Sequence, residues 1–206
     1  MKIDHLIFAA PTLETGIDVI EEKLGIRPIF SGQHLGRGTH NALLALGDGV
    51  YLEVIAPDPS QDIAPPLWMK THLATTPRLW TWAAKTNHLV RLKKIATLHN
   101  LPFGKIESGT RTQPNGEVLR WQLSLPVEEN EGGIIPFFVD WAKTTTHPSK
   151  VLPQAGSIVQ LKAYHPYPVS LQAQMEKLGL DLIFEKHEQM FLEVTMETLD
   201  GSYVKL

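Results

Sequence analysis

Gly38-Thr39-His40-Asn41-Ala42-Leu43-Leu44-Ala45-Leu46-Gly47-Asp48-Gly49-Val50-Tyr51-Leu52-Glu53-Val54-Ile55-Ala56-Pro57 is the stretch that decides the fold. Two short apolar runs flank Gly47-Asp48-Gly49, and Asp-Gly between hydrophobic runs is a strong short-range hairpin signal. Side chains alternate along a strand. In the second run Tyr51, Glu53 and Ile55 therefore share one face, and Val50, Leu52 and Val54 the other. A lone carboxylate in such a strand stands either at a solvated edge or in a lined cavity. The cavity is the alternative followed below.

Upstream, residues 3–10 read as a strand with Asp4, Leu6 and Phe8 on one face and His5, Ile7 and Ala9 on the other. Pro11-Thr12 opens a helix, with Thr12 placed to cap it and Glu14 in its first turn. Leu13, Ile17, Ile20 and Leu24 recur at helical spacing, and Gly25 sits where a left-handed C-terminal residue is wanted. Residues 27–30 read as a second strand and 31–38 as a polar, glycine-rich loop. The order is β-α-β-β-β over residues 2–57.

Downstream, residues 57–77 form a proline-containing connector. Its Ile63-Ala64-Pro65-Pro66-Leu67-Trp68 is too apolar for a free linker and packs on the surface or lines a cleft. The order of elements then recurs twice. The second unit, about 77–143, has a strand at 79–84 and a helix capped by Asn87. Strands at 103–108 and 118–125 flank an Asn115-Gly116 turn. An acidic loop at 128–133 and a strand at 134–141 complete it. The third, about 156–206, has a strand at 158–164, a helix at 169–178 ended by Gly179, and strands at 182–185, 190–197 and 202–206. Glu22 to Phe30 and Glu176 to Phe184 share six of nine residues, each closing a helix and entering a strand, which marks an internal repeat.

The 206 residues suffice for a substantial core. A formal charge of −3 with no basic block argues against a nucleic-acid or anionic-membrane surface. No apolar run reaches membrane-spanning length and no signal-peptide apolar region opens the chain, so the expectation is a cytoplasmic protein. The absence of cysteine excludes disulfides, thiol catalysis and thiolate metal sites. There is no phosphate-loop, Gly-x-Ser-x-Gly or His-Glu-x-x-His pattern. Trp80, Trp82, Trp121 and Trp141 all fall in the second unit. They read either as core or as the floor of a pocket for a planar or hydrophobic ligand.

Repeated β-α-β-β-β modules, with His in the first strand and an acidic residue in the fourth, resemble the vicinal oxygen chelate superfamily. More narrowly, the Gly38-Thr39-His40-Asn41 run, Tyr51-Leu52-Glu53-Val54, the 133–141 run and His147-Pro148-Ser149 are similar to the glyoxalase-like domain family. The resemblance implies an α+β fold of three modules whose curled mixed sheets form a cup-shaped cleft. It also implies a divalent metal (Zn, Ni, Mn or Fe) held by His5 and Glu53, with Asp140 or Gln160 near the matching positions of the other modules. Lys205 falls at the fourth position if modules one and three pair, and an ammonium there does not suit a metal. Imidazole and carboxylate suit such ions; the alternative is a hydrogen-bonded core histidine and a rim ion pair.

The resemblance implies two functions. One is metal-assisted lyase, isomerase or dioxygenase chemistry on a small oxygenated organic molecule. There Glu53 moves a proton, and His40 is a ligand, an acid/base group or a turn residue. The other is metal-free binding or sequestration, with Trp82, Trp121 and Trp141 stacking on the ligand; Asp140 and Gln160 join them as candidate substrate-binding residues. An odd number of modules leaves a sheet edge that a homodimer would cover.

Overall fold

Strand β1 (Lys2–Ala9) leads through α1 (Leu13–Leu24) to β2 (Ile29–His34), β3 (Thr39–Ala45) and β4 (Tyr51–Pro57). Strand β5 (Arg78–Lys85) leads through α2 (Leu89–Leu98) to β6 (Ile106–Thr112), β7 (Val118–Ser124) and β8 (Phe137–Trp141). Strand β9 (Gly156–His165) leads through α3 (Pro168–Lys177) to β10 (Ile183–Lys186), β11 (Phe191–Thr198) and β12 (Tyr203–Lys205). This is a mixed α+β fold, seen in a computed structural model that describes residues 2–64, 75–112, 118–125, 127 and 131–206. Most of the apolar connector around Leu67-Trp68, the Asn115-Gly116 turn and residues 128–130 of the acidic loop lie outside the described residues. Among the described residues no helix is long and apolar enough to cross a membrane.

The chain divides into two compact units. One comprises Met1–Asp4, Thr81–His147 and Leu161–Leu192; the other comprises His5–Trp80, Pro148–Gln160 and Glu193–Leu206. In the second of these the strand order is β2-β3-β4-β1, with β4 and β1 parallel and the other pairs antiparallel. In the first, β5, β8, β7 and β6 follow the same pattern, β5 and β8 being the parallel pair.

Helix α1 follows from its sequence. Thr12 Oγ1 accepts from the Thr15 backbone N–H at 3.2 Å, and Gly25 closes the helix at φ 73°. Leu13, Ile17, Ile20 and Leu24 are buried. Gly16 lets the helix approach β4: a Cβ there would stand 2.5 Å from Val54 Cγ1. Because Val54 faces α1, its neighbour Glu53 faces the opposite side of the sheet. Arg27 pairs with Glu14, Asp18 and Glu21 of α1, an exposed network that adds little stability. Gly179, after α3, has φ 71°, matching Gly25 in the repeated segment.

The hairpin is centred on Asp48. Leu46 N–H donates to the Val50 carbonyl at 3.0 Å, and Leu43 lies opposite Glu53. Four expectations change. The N-cap of α2 is His88, with no side-chain cap, and not Asn87, and the strand expected at 103–108 is β6, Ile106–Thr112. Strand β2 runs on to His34, through a bulge between Phe30 and Gly32, so the loop before β3 is shorter than expected. The strand expected from residue 134 begins at Phe137. Glu131, Gly132 and Gly133, with φ of 51°, 68° and 99°, form a turn before it.

Candidate functional site

Register places the side chains. His5 of β1 lies beside Tyr51 and Ile7 beside Glu53; Asn41 of β3 lies beside Ile55 and Thr39 beside His34 of β2. Alternation then sets His5, His34, Thr39, Asn41, Tyr51 and Glu53 on one face of this sheet. Glu53 is 7% exposed and His5 4%. His5 Nε2 is 3.7 Å from Glu53 Oε2, and His34 Nε2 is 3.6 Å from Glu53 Oε1. Asn41 Nδ2 donates to Glu53 Oε1 at 2.7 Å and lies 3.4 Å from His34 Nε2. His34 Nδ1 bonds Thr39 Oγ1 at 2.9 Å, and the His5 ring stacks on Tyr51 with centroids 4.5 Å apart. The structure thus brings together the two residues expected from β1 and β4 and adds His34 and Asn41.

A divalent ion needs more than this pair. Structural zinc takes four protein ligands and catalytic zinc three. Among the described residues no three His, Cys, Asp or Glu side chains gather into a group that could hold a metal ion. His5 approaches one oxygen of Glu53 and His34 the other, with the Asn41 amide on His34's side. The described donor set does not fit the ion that the resemblance implies.

His40 is not brought to Glu53. It lies one residue from Asn41, so it faces the other side of β3. There it meets Phe30 edge-on, with ring centroids 6.5 Å apart. It lines a groove of about 590 Å³ with Pro11, Leu13, Phe30, Pro57 and Ile63.

The remaining candidates divide between the units. Trp82 is 2% exposed and its Nε1 donates to the Ile134 carbonyl at 2.8 Å, as a core residue does. Trp121 and Trp141 are half-buried neighbours across β7 and β8, with centroids 5.4 Å apart. Trp141 Nε1 donates to buried Asp4 Oδ2 at 3.0 Å, and His147 Nε2 lies 3.2 Å from the same oxygen. Burial pushes the Asp140 carboxyl above its usual range, and His88 partly offsets this. Gln160 is half-buried on β9.

The segment carrying His34 is fastened by Asp58. Its Oδ1 accepts from the Ser60 backbone N–H and hydroxyl, and its Oδ2 from Gln33 and Gln61. Gln61 in turn accepts from the Gly36 backbone N–H at 3.0 Å. Burial pushes the Asp58 carboxyl up, but the hydrogen bonds from Gln61, Ser60 and Gln33 outweigh it and hold the group well below the usual carboxylate range. The contribution of a depressed carboxylate is complete above its unfolded pKa, about 4, and fades as pH falls toward the folded value. Asp58→Asn should therefore destabilise at neutral pH and speed amide exchange over residues 33–39. The stability gap to the parent, followed by urea unfolding, should stay constant above about pH 5 and narrow below about pH 4. A gap that widens in acid would contradict this assignment.

A hypothetical protein from Staphylococcus aureus shares the fold, with a TM-score of 0.70 over 98% of this chain and 97% of that chain at 13% identity. A methylmalonyl-CoA epimerase from Mycobacterium tuberculosis aligns with 68% of this chain and 87% of its own, at 21% identity and a TM-score of 0.44. No curated protein matches the chain. The model of the glyoxalase-like domain matches residues 3–179. With that match over most of its length, the chain belongs to the glyoxalase-like domain family.

Proposed function

We propose that the chain acts on a small oxygenated organic molecule, with Glu53 as the group that moves a proton. The observation that carries this reading is the state of Glu53 Oε2. The residue is buried and its Oε1 accepts from Asn41 Nδ2 at 2.7 Å, while His5 Nε2 stands 3.7 Å from Oε2, beyond hydrogen-bond distance. A buried carboxylate kept for structure is normally saturated with donors, as Asp58 is. Oε2 retains lone pairs for a ligand proton.

The chemistry that suits it is proton transfer at a carbon beside a carbonyl. Glu53 takes the proton. The C–H electron pair forms a carbon–carbon double bond, and the carbonyl pair moves to oxygen. Glu53 then returns a proton to that carbon as the carbonyl reforms, after its carboxyl has exchanged with solvent, so that solvent deuterium enters the substrate. Asn41 holds the carboxylate by its other oxygen, and Tyr51 holds the His5 ring by stacking.

The experiment is solvent-deuterium exchange followed by proton NMR, using a panel of α-hydroxy ketones, 2-oxo acids and acyl thioesters. Exchange above the uncatalysed rate is expected with at least one class, and Glu53→Gln should lower it about 10²-fold or more. Metal analysis of the same preparations, with a His5→Ala, Glu53→Ala double variant, tests the divalent-ion reading. Stoichiometric metal lost in the double variant would restore that reading. The half-buried Trp121–Trp141 pair favours a second function, binding without turnover. Compounds that bind but show no exchange in any preparation would establish it in place of the first.

A further inference from the structure

We infer that Asn41 Oδ1 accepts a hydrogen bond from a hydroxyl of the ligand, which makes Asn41 a specificity-determining residue and the ligand an α-hydroxy carbonyl compound. The hydroxyl half stands on the geometry of Asn41; the carbonyl half rests on the proton-transfer reading of Glu53.

Asn41 is 2% exposed, on the same face of the sheet as Glu53. The orientation of its carboxamide is fixed by its neighbour. A carboxylate only accepts, so the amide nitrogen must be the atom 2.7 Å from Glu53 Oε1. The second amide hydrogen has His34 Nε2 at 3.4 Å. Both hydrogens of the amide then point at the Glu53 site, and the amide cannot turn over without setting oxygen against carboxylate.

Oδ1 is left buried with no hydrogen-bond partner, the one such side-chain acceptor among the described residues. Buried acceptors are almost always paired, because an unpaired one is destabilising. Covalent geometry keeps Oδ1 within about 2.3 Å of Nδ2, hence within about 5 Å of Glu53 Oε1. A donor that satisfies Oδ1 therefore lies beside the carboxylate.

A hydroxyl is the donor that suits a site this closed, being neutral and small. If Glu53 removes a proton next to a carbonyl, a hydroxyl about one bond from that carbon reaches Oδ1. Glu53 and Asn41 would then read adjacent positions of one short molecule.

The test compares two probes of equal heavy-atom count, hydroxyacetone and 2-butanone, in which a methyl replaces the hydroxyl. Binding is followed by ligand-observed NMR titration on the whole chain. The parent should bind hydroxyacetone about tenfold more tightly, since a site built to pair a hydroxyl discriminates against its absence. Asn41→Leu should weaken hydroxyacetone about tenfold and leave 2-butanone within about twofold. Equal affinities for the two probes in the parent overturn the inference, as does binding of neither at about 100 mM, well above a millimolar constant. The parent comparison needs no variant, so a poorly folding Asn41→Leu does not shield the idea. The two readings fail separately. A hydroxyl preference with deuterium exchange that survives in Glu53→Gln leaves Asn41 standing and removes Glu53 as the base. Glu53-dependent exchange without a hydroxyl preference does the reverse.

Discussion

Trp82→Ala should cost about 3–5 kcal/mol of stability, measured by urea unfolding, the range for deleting a large buried aromatic. Two losses combine. The indole is almost wholly enclosed, so its removal leaves a cavity that the surrounding side chains only partly fill. Its Nε1–H also serves the Ile134 carbonyl, in a segment that Thr81 ties down as well by donating to the Gly133 carbonyl at 2.9 Å. Ile134 is buried, so its carbonyl would lose its partner away from water. Trp82→Phe separates the two terms by keeping most of the volume and dropping the N–H; about 1–2 kcal/mol is expected there. Trp121→Ala, half-buried beside Gly109, should cost less than Trp82→Ala. A Trp82→Ala variant as stable as its parent would remove Trp82 from the core and return it to the ligand-stacking set.

That contrast shows where the sequence is legible. Helix α1 could be read almost to the residue because every signal in it is local: Thr12 at the cap, four apolar residues on one stripe, Gly25 at the end. The hairpin was nearly as clear. Once Asp48 is its centre, odd-numbered residues of β3 share a face with Glu53, which brings Asn41 to the site and turns His40 away. The location of the turn was legible, but its pairing had to be known before His40 could be placed. Four tryptophans in one stretch carry no such signal, because a tryptophan flooring a pocket and one filling a core have the same neighbours in sequence.

His34 was missed for a related reason. Residues 31–38 are polar and rich in glycine, which is how a loop reads. Strand β2 nevertheless continues to His34 because β3 pairs with it past the bulge at Phe30 and Gly32. Pairing with a neighbouring strand is a tertiary cause and leaves no periodicity in an edge segment of mixed polarity. The same holds at 134–136, where apolar residues read as strand but the three consecutive positive φ angles just before them delay its start. What could have pointed to His34 was its chemistry: an imidazole shortly before a hairpin whose inner face already held a carboxylate.

Gly156→Ala should be of similar size to Trp82→Ala, for reasons that belong to the backbone. Residues 153–155 run beside β3: Ala45 N–H donates to the Pro153 carbonyl at 2.8 Å and Ala155 N–H to the Ala45 carbonyl at 3.0 Å. The chain then turns into β9 at Gly156, whose φ of 136° is open to glycine and strained for any other residue. A Cβ at this position would lie 2.1 Å from the Glu197 carbonyl oxygen and 3.0 Å from Thr198 Cα. Both are main-chain atoms of β11, so no rotamer change relieves the contact. Strain and forced separation of the strands together should cost about 3–5 kcal/mol, a fall of roughly 10 °C in Tm for a chain of this length. Gly49→Ala supplies the comparison. Its φ of 77° carries conformational strain alone, with nothing within 4 Å of the new carbon, and the expected loss is about 1 kcal/mol. The difference between the two variants isolates the steric part. If they unfold at the same denaturant concentration, the close approach of Gly156 to β11 is not a constraint on this fold.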